Sequence, residues 1–147
     1  MKKAVCLILC GMLLLIPFMS VSAESLSDRI DQIFPNRDSL ITMWPEDLSD
    51  LMGIGEEEYT DFVYLASENS ATGREIIIIM ATDETTAESI EDKLIRYRET
   101  RLKETRNYLP EAYKLIEASV VTREGLTVIL DIGENAENEI RQLLEKE

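Results

Sequence analysis

The chain has 147 residues, 29 of them acidic against 15 basic, giving a formal net charge of −14 with two cysteines and no histidine. A surface this acidic repels nucleic acid and anionic membrane, and it keeps a protein soluble. Without histidine the commonest general base and the commonest transition-metal ligand are missing, so Ser-His-Asp, Cys-His and His-ligated zinc sites are excluded within the chain.

The first segment reads as a leader. Lys2 and Lys3 precede an apolar run over residues 4–19, broken near its end by Pro17, and Val21-Ser22-Ala23 offers small residues just before the first acid, Glu24. That pattern predicts a signal peptide over residues 1–23, cleaved after Ala23, and a secreted or envelope-associated mature protein. The alternative is an uncleaved anchor, because residues 4–23 carry no charge and just reach the length of a bilayer span. Membrane contact is therefore expected only if the leader is kept or lipidated. Cys10 follows Leu9, which departs from the small residue a lipobox needs there. Both cysteines, Cys6 and Cys10, lie in the leader, so residues 24–147 have no disulfide, thiolate nucleophile or Cys-ligated zinc. This mature length suits a single domain. Removing Lys2 and Lys3 from the 15 basic residues leaves 13 against 29 acids, a formal charge of −16.

In chain order, Ser25 or Ser27 caps a short helix to about Phe34, with Leu26, Ile30 and Ile33 on one face, and Pro35-Asn36-Arg37-Asp38 ends it. Residues 40–44 read as extended, since Trp44 precedes a proline. Pro45 opens a second short helix that Gly53 stops, with Leu48, Leu51 and Met52 as its buried side. Residues 59–65 form a strand, residues 67–73 a polar turn, and residues 75–81, with four consecutive isoleucines, a strand covered on both faces. Thr85 or Thr86 caps the longest helix, with Glu88 placed for reciprocal capping, and it runs to about Tyr108. Pro110 restarts a short helix to Ala118. Residues 120–123 and 126–132 form two strands around the hairpin signal Glu124-Gly125, and a last amphipathic helix carries Ile140, Leu143 and Leu144. Paired strands with segregated helices predict an α+β fold: an antiparallel sheet of about four strands packed by the long helix and shorter ones, in two layers.

The stretch Asp47-Leu48-x-Asp50-Leu51-x-Gly53-Ile54, followed by Glu75-Ile76, Tyr108-Leu109-Pro110-Glu111-x-Tyr113 and a hairpin at Gly125, resembles a domain-of-unknown-function family. The family consists of exported proteins, many of them lipoproteins, from anaerobic Gram-positive bacteria. The resemblance covers nearly all of the mature chain and implies location and fold, but no activity. Leu126 and Thr127 depart from the polar residue and aromatic expected after Gly125.

The long helix carries Lys93, Arg96, Arg98, Arg101, Lys103 and Arg106. At about 100° per residue, Ala87, Ile90, Leu94, Tyr97, Leu102, Thr105 and Tyr108 share one face. Lys93, Arg96 and Lys103 fall opposite, as a solvated face. Arg98 and Arg101 fall inside the apolar stripe, where an unpaired charge is costly. They read either as internal ion pairs or as an anion anchor flanked by Tyr97 and Tyr108, because a guanidinium grips carboxylate or phosphate in bidentate fashion. Two acidic groups, Glu56-Glu57-Glu58 with Asp61 and Asp131 with Glu134, Glu137 and Glu139, offer oxygen ligands but lack EF-hand spacing. No glycine loop has phosphate-cradling spacing.

These residues favour a non-enzymatic extracytoplasmic binding or interaction module that takes an unknown protein or a small anionic ligand and needs no cofactor. One alternative is a carboxylate-dependent hydrolase, which requires a pocket holding two acids with raised pKa values. Another is a subunit of an envelope assembly, with the isoleucine strand of residues 76–79 as an exposed edge or dimer face.

Overall fold

The structure is a computed structural model and describes residues 26–33 and 39–145. The expected leader over residues 1–23 and the breaker at residues 35–38 lie outside the described residues. The elements are α1 (Leu26–Ile33), β1 (Leu40–Thr42), α2 (Pro45–Met52), β2 (Tyr59–Ser67), β3 (Glu75–Ala81), α3 (Glu84–Thr105), α4 (Pro110–Ala118), β4 (Val121–Glu124), β5 (Thr127–Ile132) and α5 (Ala136–Leu144). The strands form one sheet in the order β1-β2-β3-β5-β4, with every neighbouring pair antiparallel.

The α+β class and the antiparallel sheet are as expected, but the sheet has five strands where about four were expected. The extra strand is β1, which pairs Leu40–Thr42 with the end of β2. The layering also differs, because helices cover both faces. Ile77, Ile79 and Ala81 of β3 face a core with Leu48 of α2, Ile90, Leu94 and Tyr97 of α3, and Ala112 and Ile116 of α4. Ile76 and Ile78 face the other way, against Leu26 and Ile30 of α1 and Ile140 and Leu143 of α5. Two-residue alternation therefore delivers the isoleucine run to two separate cores. β3 is paired on both sides, with β2 and β5, so the exposed-edge version of an assembly subunit is overturned.

Local chemistry fixes the element ends. Pro45 occupies the first turn of α2, the Asp47 carboxylate accepts from the Trp44 N–H at 2.7 Å, and Gly53 ends the helix at φ 68°. Leu51 was expected on the buried side of α2, but it is exposed; Leu48 and Met52 suffice to hold the helix. The cap of α3 is Asp83 rather than Thr85 or Thr86. Its Oδ1 accepts from the Thr86 N–H at 2.9 Å and its Oδ2 from the Thr86 hydroxyl at 2.9 Å. The helix ends at Thr105, so Tyr108 stands beyond it and is 82% exposed instead of continuing the buried face. Gly125 and Leu126 make the two-residue turn between β4 and β5. Only Gly125 has positive φ, at 55°, which is the type II′ pattern and explains why Leu126 is tolerated after it.

Candidate functional site

Glu75 is the first residue of β3, and alternation turns its side chain towards α3. Tyr97 and Arg101 lie one turn apart on α3 and meet it there. Arg101 directs Nε (3.1 Å) and Nη2 (2.9 Å) onto Glu75 Oε1, while the Tyr97 hydroxyl donates to Oε2 at 2.7 Å. Tyr64 of β2 adds a longer contact to Oε2, at 3.4 Å, and its hydroxyl lies 3.3 Å from that of Tyr97. Glu75 is 5% exposed, so the carboxylate is satisfied by protein groups and almost cut off from water. Burial and the Glu75 charge push both tyrosine hydroxyls well above their ordinary value, leaving them neutral donors rather than acids. Burial opposes the Arg101 charge, but Glu75 more than offsets this, and the guanidinium is held more firmly protonated than usual.

Two clefts meet at this pair. One, of about 280 Å³, is lined by Leu51, Tyr64, Glu75, Tyr97, Thr100, Arg101 and Glu104. The other, of about 190 Å³, is lined by Ile41, Met43, Ala66, Ser67, Gly73, Arg74, Glu75 and Arg101. Glu104 adds a second carboxylate 3.7 Å from Arg101 Nη1. Arg101 thus faces two carboxylates, and Arg74, which lines the second cleft, is itself committed to Asp131 and Glu139, so both guanidinium groups at the clefts are already held by acids.

The four residues expected to act together divide. Tyr97 and Arg101 converge on Glu75. Arg98 turns to the end of α4, where Nη2 donates to the Glu117 carbonyl at 2.8 Å and Nε to the Ser119 hydroxyl at 3.1 Å. Tyr108 lines neither cleft. Sequence reasoning passed over Glu75 and Tyr64, the two strand members of the cluster. A lone acid at the head of an apolar strand, read together with arginine on an apolar helix face, was the available signal.

The acidic groups also resolve. Lys93, expected in the solvated face of α3, is instead drawn to Glu58 at 2.6 Å. Burial disfavours the Glu58 charge, but Lys93 and the Gly55 N–H outweigh it, and the carboxyl is held below its usual range. Asp131 of β5 is fully buried on the opposite face of the sheet from Glu75 and pairs with Arg74, which also reaches Glu139 of α5 at 2.7 Å. Burial above all, then the neighbouring Glu139, pushes Asp131 up to about 7 against the pull of Arg74. Asp131 is the one carboxyl among the described residues with a resolved upward shift, and it lines none of the clefts described here. Among the described residues no cluster of three or more acids is arranged to hold a metal ion. No helix among them is long and apolar enough to cross a membrane.

Fold and site together define an acidic α+β domain with a neutralised, buried polar cluster beneath two adjoining clefts. Residues 38–132 match the family DUF4358, described as a domain of unknown function, and the chain belongs to that family. No curated protein and no solved structure matches the chain. The matched segment holds all five strands with α2, α3 and α4; α1 and α5, the cover of the second face, lie outside it.

Proposed function

We propose that the protein is an exported, non-enzymatic binding module that takes a polypeptide partner on the face formed by β1, α2 and α3. The observation that carries this reading is a set of exposed apolar side chains on one short stretch: Ile41 at 43%, Trp44 at 72% and Leu51 at 52%. Ile41 and Leu51 each line one of the clefts that adjoin at Glu75 and Arg101, and Trp44 lies between them in the chain. Exposed apolar groups gathered in this way mark interaction surfaces. Tryptophan is among the residues that dominate such contacts. Exposed Glu46, Asp50 and Glu104 accompany them, so the complementary surface is apolar with basic residues around it.

Export rests on the leader pattern, Lys2-Lys3 followed by the apolar run and Val21-Ser22-Ala23. The non-enzymatic reading rests on the cleft floor. Glu75 is held by Arg101 and Tyr97, and no histidine or cysteine accompanies it. The hydrolase alternative needs two acids with raised pKa values in one cleft, and the raised carboxyl, Asp131, is buried elsewhere. The test is a photo-crosslinking amino acid placed at position 51 in producing cells, with position 114 as a distant control. A discrete polypeptide adduct outside the cytoplasm from position 51 alone is expected. Equal adducts from both positions, or none from position 51, overturns the reading.

A further inference from the structure

Among the described residues most cations are held by acids. Arg74, Lys93, Arg101, Lys114, Arg123 and Arg141 each have a carboxylate partner. Arg96, Arg98, Lys103 and Arg106 have none among the described residues, and of these Lys103 and Arg106 line the same cleft. That cleft, of about 210 Å³, lies between the C-terminal half of α3 and α4, on residues distinct from those of the clefts over Glu75. Leu102 and Tyr113, both half-buried, supply apolar wall, and the Tyr113 hydroxyl is already turned to Glu117 at 2.9 Å. Glu99 also lines the cleft and opposes an anion, which leaves its lining one positive charge in excess. In a chain of net charge −14, this local excess rests on two cations without a carboxylate partner, whereas Arg74 and Arg101 at the Glu75 clefts are both paired with acids.

We propose that the α3–α4 cleft is a binding site for a compact oxyanion carried on an apolar body, with Lys103 and Arg106 as the anion contacts and the Tyr113 ring and Leu102 as the wall. Arg106 offers a planar fork and Lys103 a mobile point charge, the pairing that phosphate recognition uses. The wall selects for an apolar group attached to the anion, because burying that group against Leu102 and Tyr113 adds area that a bare ion lacks. The acidic remainder of the surface repels anions in general, so occupancy depends on this local geometry and weakens with added salt only as a short-range contact does. A phosphate of this kind comes either from a soluble aromatic phosphate or from a lipid headgroup beside apolar chain.

The experiment is an amide-resonance titration of residues 24–147 with phenyl phosphate, inorganic phosphate and phosphatidylglycerol vesicles. Saturable shifts with phenyl phosphate at Leu102, Lys103, Arg106 and Tyr113 are expected, together with binding at least about 10-fold weaker for inorganic phosphate, which lacks the apolar group. Line broadening of the same amides by vesicles, with no response to phenyl phosphate, assigns the site to a headgroup source and keeps the anion contacts. A Lys103→Ser/Arg106→Ser variant loses the response. An Arg96→Ser variant, which removes one exposed charge from the same helix outside the cleft, retains it. Cations near a helix C-terminus also stabilise the helix dipole. A double variant that melts lower, combined with no response of the native protein to any probe, assigns Lys103 and Arg106 to that role alone and overturns the proposal. So does a response that survives in the double variant.

Discussion

Arg74 and Glu75 are neighbours in the chain, and the pleat sends them to opposite faces of the sheet, where each founds a buried ionic cluster. On the α3 face one carboxylate, Glu75, receives one guanidinium and a close tyrosine hydroxyl, and both of its oxygens are bonded. On the α5 face one guanidinium, Arg74, serves two carboxyls, Asp131 and Glu139, and Asp131 Oδ2 is left buried without a partner. Arg101 also has a second carboxylate, Glu104, but that acid is 3.7 Å away and largely exposed to water, so the buried charges of the first cluster match one to one. The second holds one negative charge too many, and burial first, with the neighbouring Glu139 adding to it, makes the aspartate hold its proton to about pH 7. The same two residue types, buried to similar depth, thus give a fixed ion pair on one face and a titratable one on the other. Gly133 belongs to the second arrangement, because a Cβ there would run into the Arg74 guanidinium.

The largest effect is expected from unbalancing the first cluster. Glu75→Ala leaves the Tyr97 hydroxyl only its 3.3 Å contact with Tyr64 and leaves Arg101 only the more distant, exposed Glu104, and a loss of about 3 kcal/mol in denaturant unfolding is expected. A Glu75→Leu/Arg101→Met double variant removes both charges together and should recover most of that loss, since a buried pair contributes little against well-packed apolar replacements. Equal losses in the single and double variants would show that the pair itself, rather than its balance, holds the helix to the sheet.

The second cluster should show its imbalance as pH dependence. Asp131 has a folded pKa of about 7 against an ordinary 3.8. Its contribution is therefore fully present below pH 3.8, falls as the pH rises from there to about 7, and is lost above that. Asp131→Asn fixes the protonated form in place. The variant should match the native protein near pH 4 and exceed it by up to about 4 kcal/mol at pH 8, with the gap opening between. Glu58 cannot mimic this, because its depressed pKa removes stability only as the pH falls, below its ordinary 4.5. A gap that does not change between pH 4 and pH 8 would place the proton elsewhere.

The sequence reveals the helices, the strands and the α3 packing face because those depend on periodicity and on local breakers such as Pro45, Gly53 and Gly125. It also places arginine wrongly for a surface role: Arg101 on an apolar stripe already demands a partner. The identity of that partner is not legible, because any of 29 acids qualifies and the choice of Glu75 is made by strand register across the sheet. Arg98 illustrates the limit from the other side. It falls in the same apolar stripe as Arg101, yet its partners are the Glu117 carbonyl and Ser119 hydroxyl, groups supplied by where α4 ends. The third layer escaped for a similar reason: the apolar faces of α1 and α5 are plain in the sequence, but which side of the sheet they cover is set by connections that periodicity does not encode. Tyr97 was singled out for standing beside arginine. It matters instead for a bond to a carboxylate 22 residues earlier.

That bond separates the two tyrosines of the first cluster. Tyr97→Phe removes a 2.7 Å donation to the Glu75 carboxylate and should cost about 1.5 kcal/mol, within the range for a hydrogen bond to a charged group. Tyr64→Phe removes only a 3.4 Å approach to the same oxygen and a 3.3 Å contact between hydroxyls, and a loss near 0.5 kcal/mol is expected, at about the threshold of measurement. The ring is kept in both variants, so packing against Ile77 and Ile79 is unchanged and the difference isolates the hydroxyls. Charge balance at Glu75 predicts this ranking, because Arg101 and Tyr97 already satisfy the carboxylate and Tyr64 is surplus. If Tyr64→Phe proves the more damaging, Tyr64 is the principal donor in solution, and the α3 face relies on the sheet rather than on the helix to hold its buried acid.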